Sequence, residues 1–184
     1  YDTYAHFSGG FGKGGNMSKI IKELKIEKDI KPKRCDPSDI ICVAKNQIRI
    51  WNDLEKTIDE FQNSFPSESE NLRKFFRFIE KIKNNDFNSL RRITFQKFLD
   101  KYFTDRELKG ALSLLIYGNS GVPPSKVSAL TAITIYKQFV LDGGYYFEQG
   151  IQELPNRFSE RYMNSGGELL LNSLVKKIIV DEMN

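Results

Sequence analysis

Histidine, cysteine, methionine and tryptophan are scarce: 184 residues hold one His, two Cys, three Met and one Trp. A single histidine, His6, excludes multi-histidine metal sites, and any Ser-His-Asp or Cys-His arrangement would have to pass through it. Cys35 and Cys42 stand seven apart, a spacing that suits neither C-x-x-C redox chemistry nor a zinc site. No metal is therefore expected, and both thiols are expected free in a reducing cytoplasm. No apolar run approaches the roughly 18 to 20 residues of a membrane helix, and no signal-peptide pattern opens the chain. Peripheral contact with a membrane surface stays open.

What is present is charge of both signs. The net charge is +4 and the pI about 8.9, with 28% of residues charged. Lys31, Lys33 and Arg34 form a basic run, but acids are interleaved elsewhere, as in Lys22-Glu23 and Glu27-Lys28-Asp29. This reads as a solvated mixed surface, with no nucleic-acid partner expected. The chain starts at Tyr1 without an initiator Met and stops soon after a strand-like run, Lys177-Ile178-Ile179-Val180, so it is expected to be a piece of a longer protein.

Gly10-Phe11-Gly12-Lys13-Gly14-Gly15 satisfies G-x-G-x-x-G, with strand-like Tyr1 to Phe7 before it, helix-like Met17 to Leu24 after it, and Asp36 about 20 residues on. A dinucleotide loop follows a central parallel strand that is buried on both faces. Tyr1 to Phe7 carries Asp2, Thr3 and His6, too polar for that place. The next apolar run, Ile40 to Val43, ends in Lys45 and Asn46 instead of an acid, and Lys13 is followed by Gly14 instead of the Ser or Thr of a Walker loop. Gly9 to Gly15 is accordingly read as a flexible connector whose glycines serve close approach and mobility.

Ile40 to Val43 and Gln47 to Ile50 predict a hairpin around Ala44-Lys45-Asn46, with Asn46 in the left-handed turn. Asn52 with Glu55 predicts the start of a helix carrying Leu54, Ile58 and Phe61 on one face. The next helix, Glu68 to Lys83, places Leu72, Phe75, Phe76, Ile79 and Ile82 at helical spacing, read as core packing. A short helix is expected from Phe95 to Tyr102, and a capping box at Thr104 to Glu107 opens a helix with Leu108, Ala111, Leu112 and Leu115 inward. Ser125 to Leu141 is read as a helix, apolar nearly all round apart from Thr131, Thr134 and Gln138, which suggests burial on most sides or one wall of an apolar cavity. Past Gly143-Gly144, a helix over Gln152 to Met163, packing on Leu154, Phe158 and Tyr162, stops at Gly166-Gly167. It leads into Glu168 to Asn172, read as a buried strand.

From Asp105 onward the chain resembles the phytoene desaturase and carotenoid isomerase group of FAD-dependent oxidoreductases, within the amine-oxidase-like superfamily. The stretches that carry the likeness are TDRELKGALSLL, GVPPSKVSAL and DGGYYFEQGIQELPNRFSERYMNSGGELLLNSLVKKI. The last has the family's order of Gly-Gly-x-Tyr, a helix with spaced apolar residues, Gly-Gly-Glu, a strand and Val-x-x-Ile. Phe147 stands where the family usually has proline, Gln149 where it has the first glycine of a pair, and Tyr4 where it has glycine.

The resemblance implies a mixed α+β chain: a mostly helical substrate domain with a small hairpin, flanked by strands and a helix of an incomplete FAD-binding α/β domain. In these terms residues 1–16 are the flavin-side strand and connector, 17–142 the substrate domain and 143–184 the return to the FAD-binding domain. It further implies that Val175, Thr3, Tyr4 and His6 lie near FAD, and that Gly143, Gly144, Tyr145 and Tyr146 line the passage to an apolar substrate such as a carotenoid or polyprenyl chain. Flavin chemistry needs few catalytic side chains because the cofactor carries the reactive ring, and the catalytic residues are not identified. The isolated piece is expected neither to hold FAD nor to be active. The alternative is a non-catalytic helical module that binds a protein or a membrane surface.

Overall fold

The computed structural model describes residues 7–83 and 86–180, a mixed α+β arrangement of helices around two small antiparallel sheets. Tyr1 to His6, and with them the expected first strand, lie outside the described residues.

After the glycine loop comes α1 (Asn16–Glu23), followed by β1 (Pro32–Arg34). The hairpin is β2 (Asp39–Val43) and β3 (Asn46–Ile50), with Ile41 opposite Ile48 and Val43 opposite Asn46. Its turn is the two residues Ala44-Lys45, and Ala44, at φ +50°, takes the left-handed position expected of Asn46. Asn46 is instead the first residue of β3, paired to Val43 across the turn.

Helices α2 (Leu54–Ser64) and α3 (Ser69–Lys81) form an antiparallel pair, joined by a 3₁₀ turn at Pro66–Glu68. Asp53, not Asn52, caps α2, its carboxylate accepting from the Glu55 and Lys56 N–H groups. The expected stripe on α3 is core: Leu72, Phe75, Phe76 and Ile79 are fully buried. Phe75 lies at the centre of a ring cluster, with Phe76, Phe103 and Tyr136 centroids at 5.3, 5.3 and 5.7 Å. Edge-to-face geometry of this kind adds to plain burial.

Short helices α4 (Phe87–Arg91) and α5 (Phe95–Leu99) lead to α6 (Arg106–Ser120). All four residues expected to face inward from α6 are buried. Asp105 caps it, accepting from Leu108 N–H at 2.9 Å. Thr104, expected to cap, turns its hydroxyl to Glu68 instead.

The apolar stretch expected as one helix from Ser125 is shorter and has two parts. Ser128 caps α7 (Ala129–Ile135), which widens into a π turn over Tyr136–Leu141. Strand β4 (Tyr145–Phe147) pairs with β1, Tyr145 opposite Arg34, while on the other side Ser8 and Tyr145 exchange backbone hydrogen bonds at 2.8 and 2.7 Å. Last comes α8 (Glu153–Asn164).

Two apolar clusters result. The larger joins the hairpin to α2 through α7 and the π turn. The smaller gathers Phe11, Ile21, Ile26, Ile30, Tyr145 and Phe147, with Leu154 and Phe158 of α8 packed against it. Tyr162, expected in that packing, is 54% exposed and lies across Gly167.

Two expected strands are not formed. Glu168 to Asn172 and Lys177 to Val180 are irregular, and Leu171, Ile178 and Val180 are 74%, 80% and 82% exposed. A strand requires a neighbour for its backbone N–H and C=O groups, and neither sheet of the described residues reaches these segments.

Candidate functional site

The glycine loop and the α7 wall come together. They enclose a cleft of about 640 Å³, within the usual range of small-molecule sites. One side is the loop and the start of α1, with Gly10, Lys13, Gly14, Gly15, Asn16 and Lys19. The other carries Ile82 beyond α3, Phe87 of α4, then Leu130, Ile133, Thr134, Lys137, Gln138 and Asp142.

Local chemistry explains why the loop sits there. Gly12 N–H donates to Asp142 Oδ2 at 2.9 Å, tying the loop to the end of the π turn. Ser18 Oγ donates to the carbonyls of Phe11 and Gly12 at 2.7 and 3.0 Å, and Gly15 N–H to the Gly12 carbonyl at 3.0 Å. The connector expected to be flexible is thus a closed turn. Gly15 is required by contact: a Cβ there would stand 2.2 Å from the Gly10 carbonyl oxygen.

The opposite wall is positioned from the core. Tyr136 is fully buried and donates its hydroxyl to the Leu112 carbonyl at 2.6 Å, pinning the π turn to α6. Burial holds its phenol well above the ordinary tyrosine range. Asp142 N–H reaches the Lys137 carbonyl at 3.0 Å, closing the π turn five residues back.

The loop is not built like a dinucleotide site. The residue before it, Ser8, makes an antiparallel bridge to Tyr145, whereas the dinucleotide fingerprint follows a parallel strand. Asp36, the acid at the fingerprint's spacing, accepts from Asn52 N–H at 3.0 Å.

Gly143, Gly144 and Tyr145 are buried and Tyr146 half-buried. They follow Asp142 directly but do not line the cleft. Gly143 has φ +103°, and a Cβ on Gly144 would meet the Phe7 ring at 2.7 Å. Tyr145 Oη donates to the Asp142 carbonyl at 3.2 Å, and its ring packs on Phe11 with centroids 5.8 Å apart. Burial raises its pKa, with Arg34 and Asp142 acting in opposite directions.

Of the residues expected near FAD, Thr3, Tyr4 and His6 lie outside the described residues. Val175 is 74% exposed on an irregular segment. Among the described residues, no three His, Cys, Asp or Glu side chains converge as metal ligands, and no helix is long and apolar enough to cross a membrane.

Of the two expectations for Ser125 to Leu141, burial on most sides or one wall of an apolar cavity, the second describes its cleft-facing side, and the residues opposite were not foreseen. Leu130, Ile133, Thr134, Lys137 and Gln138 fall at i, i+3, i+4, i+7 and i+8, one helical face running from apolar to polar. That spacing was the available signal. Lys13, Lys19 and Phe87 join it only through tertiary contact. Thr131, grouped with the polar stripe, is instead held at the helix start, its N–H 3.1 Å from Ser128 Oγ.

Among known proteins, no family model matches the chain and no curated protein matches it.

Proposed function

We propose that this chain forms the substrate-binding part of an FAD-dependent oxidoreductase acting on a long apolar substrate such as a carotenoid or polyprenyl chain. The observation that carries this reading is the cleft of about 640 Å³ walled by Ile82, Phe87, Leu130 and Ile133. An apolar chain gains by leaving water in proportion to the area it buries; Ile82, Phe87 and Leu130 expose apolar surface to the cleft, and Ile133, itself buried, backs them. The reading draws also on the motif order after Asp105, which resembles that of carotenoid-desaturase-like flavoproteins. On this reading the flavin is held by protein outside the described residues, and this chain contributes the substrate side.

The test is a titration of the chain with the methyl ester of cis-parinaric acid, a neutral polyene whose fluorescence rises in apolar surroundings. Saturable binding is expected, weakened by more than about tenfold in Thr134→Trp. Thr134 is exposed and lines the cleft, so the indole occupies it without entering the core, and far-UV circular dichroism should be unchanged. Absence of saturable binding, or equal binding by a folded Thr134→Trp variant, contradicts the reading.

A further inference from the structure

Charge around the cleft is one-sided. Lys13 of the loop, Lys19 of α1 and Lys137 of the π turn all line it, and among the described residues the only acid that does is Asp142. One Asp142 oxygen already accepts the Gly12 N–H. None of the ion pairs among the described residues involves the three lysines. Ion pairs are formed on other faces, Arg73 and Arg77 with Glu55, Lys74 with Glu70 and Lys109 with Asp100; what sets the three lysines apart is that they line one cavity.

Three cations from three separate elements therefore share a cavity with an apolar wall. A pure hydrocarbon would use the wall alone, and a small anion the lysines alone. A linear molecule with an apolar chain and one terminal carboxylate or phosphate uses both.

We propose that the cleft takes a free single-chain amphipathic anion, its chain on Leu130, Ile133, Ile82 and Phe87 and its acidic end among Lys13, Lys19 and Lys137. This rests on the reading of the cleft as an apolar-chain site and names the class of molecule that enters it. The ammonium groups of the three lysines meet the acidic end, and the chain itself uses the apolar wall.

The experiment compares cis-parinaric acid with its methyl ester on the same chain at low ionic strength. The acid should bind about tenfold more tightly than the ester, an advantage that shrinks with added salt. In a Lys13→Gln, Lys19→Gln, Lys137→Gln triple variant the advantage should vanish while ester binding is unchanged, which also shows that the variant is folded. Equal affinity for acid and ester, or a preference that survives the triple variant, overturns this inference and leaves the apolar-chain reading intact. Failure of both probes overturns both. Co-sedimentation with phosphatidylglycerol vesicles without binding of the monomeric acid assigns the lysines to a lipid surface and also overturns the proposal.

Discussion

Glu68 shows how one residue ties the turn before α3 to the start of α6. It is 4% exposed in the turn before α3. Its Oε1 accepts from Thr104 N–H, Thr104 Oγ1–H and Asp105 N–H at 2.7, 2.9 and 3.0 Å, and its Oε2 from Asn71 Nδ2 at 3.0 Å. Burial alone would raise the carboxyl pKa, but these donors outweigh it and bring it from an ordinary 4.5 down to about 2. A depressed pKa contributes stability that is present above the unfolded value and is lost as pH falls through the folded one. The contribution, about 3 kcal/mol, should be complete at neutral pH and fade between about pH 4.5 and 2. Urea unfolding of Glu68→Gln should show a loss of about 1–3 kcal/mol at pH 7, with the gap from the parent chain closing on acidification. A gap that stays constant from pH 7 to pH 3 would assign Glu68 a role without charge.

At the scale of elements, the glycine loop and α1 behave as one unit. Gly15 has an ordinary φ of −62°, so a side chain there is excluded by contact with the Gly10 carbonyl, not by backbone strain. Gly14 is the reverse, with φ +82° and open space around its Cβ position. Gly15→Ala should destabilise the chain by about 1–3 kcal/mol through overpacking, and Gly14→Ala by about 1 kcal/mol through backbone strain. Urea unfolding checks both, and a neutral Gly15→Ala would mean that the loop is not closed in solution. Elements with strong periodicity were legible in the sequence. The faces of α2, α3 and α6 follow from spacing alone, because their partners lie within the chain; the hairpin was legible as a hairpin, but its turn is one residue shorter than expected and Asn46 pairs with Val43. Helix starts were offset by one residue at Asp53 and Asp105, since two adjacent oxygen-bearing side chains compete for each cap and tertiary contact decides: Glu68 draws Thr104 away from α6. The π turn had no sequence signal, arising where Tyr136 is held to α6 and Asp142 to the loop. The strands expected after Gly167 failed because alternation and β-branching describe the residues of a strand without supplying its neighbour.

The molecule as a whole divides its apolar residues between a large helical cluster and a smaller one built from both ends of the described chain, and the cleft lies where the glycine loop of the smaller meets α7 of the larger. The site was legible only in outline: Ser125 to Leu141 was expected either to be buried on most sides or to form one wall of an apolar cavity, whereas Lys13 and Lys19 join that wall only because Ser8 bridges to Tyr145 and Gly12 binds Asp142 across 130 residues of sequence. The apolar segment from Leu169 to Val180 stays largely exposed. The proposal that this chain is the substrate side of a flavin enzyme is tested most directly by the cofactor content of the full-length polypeptide that carries these residues. Purified and desalted, it should be yellow and release FAD in near-equimolar amount on denaturation, while the 184-residue chain treated identically stays colourless. A full-length polypeptide that is folded, remains colourless and takes up no FAD from solution would contradict the account.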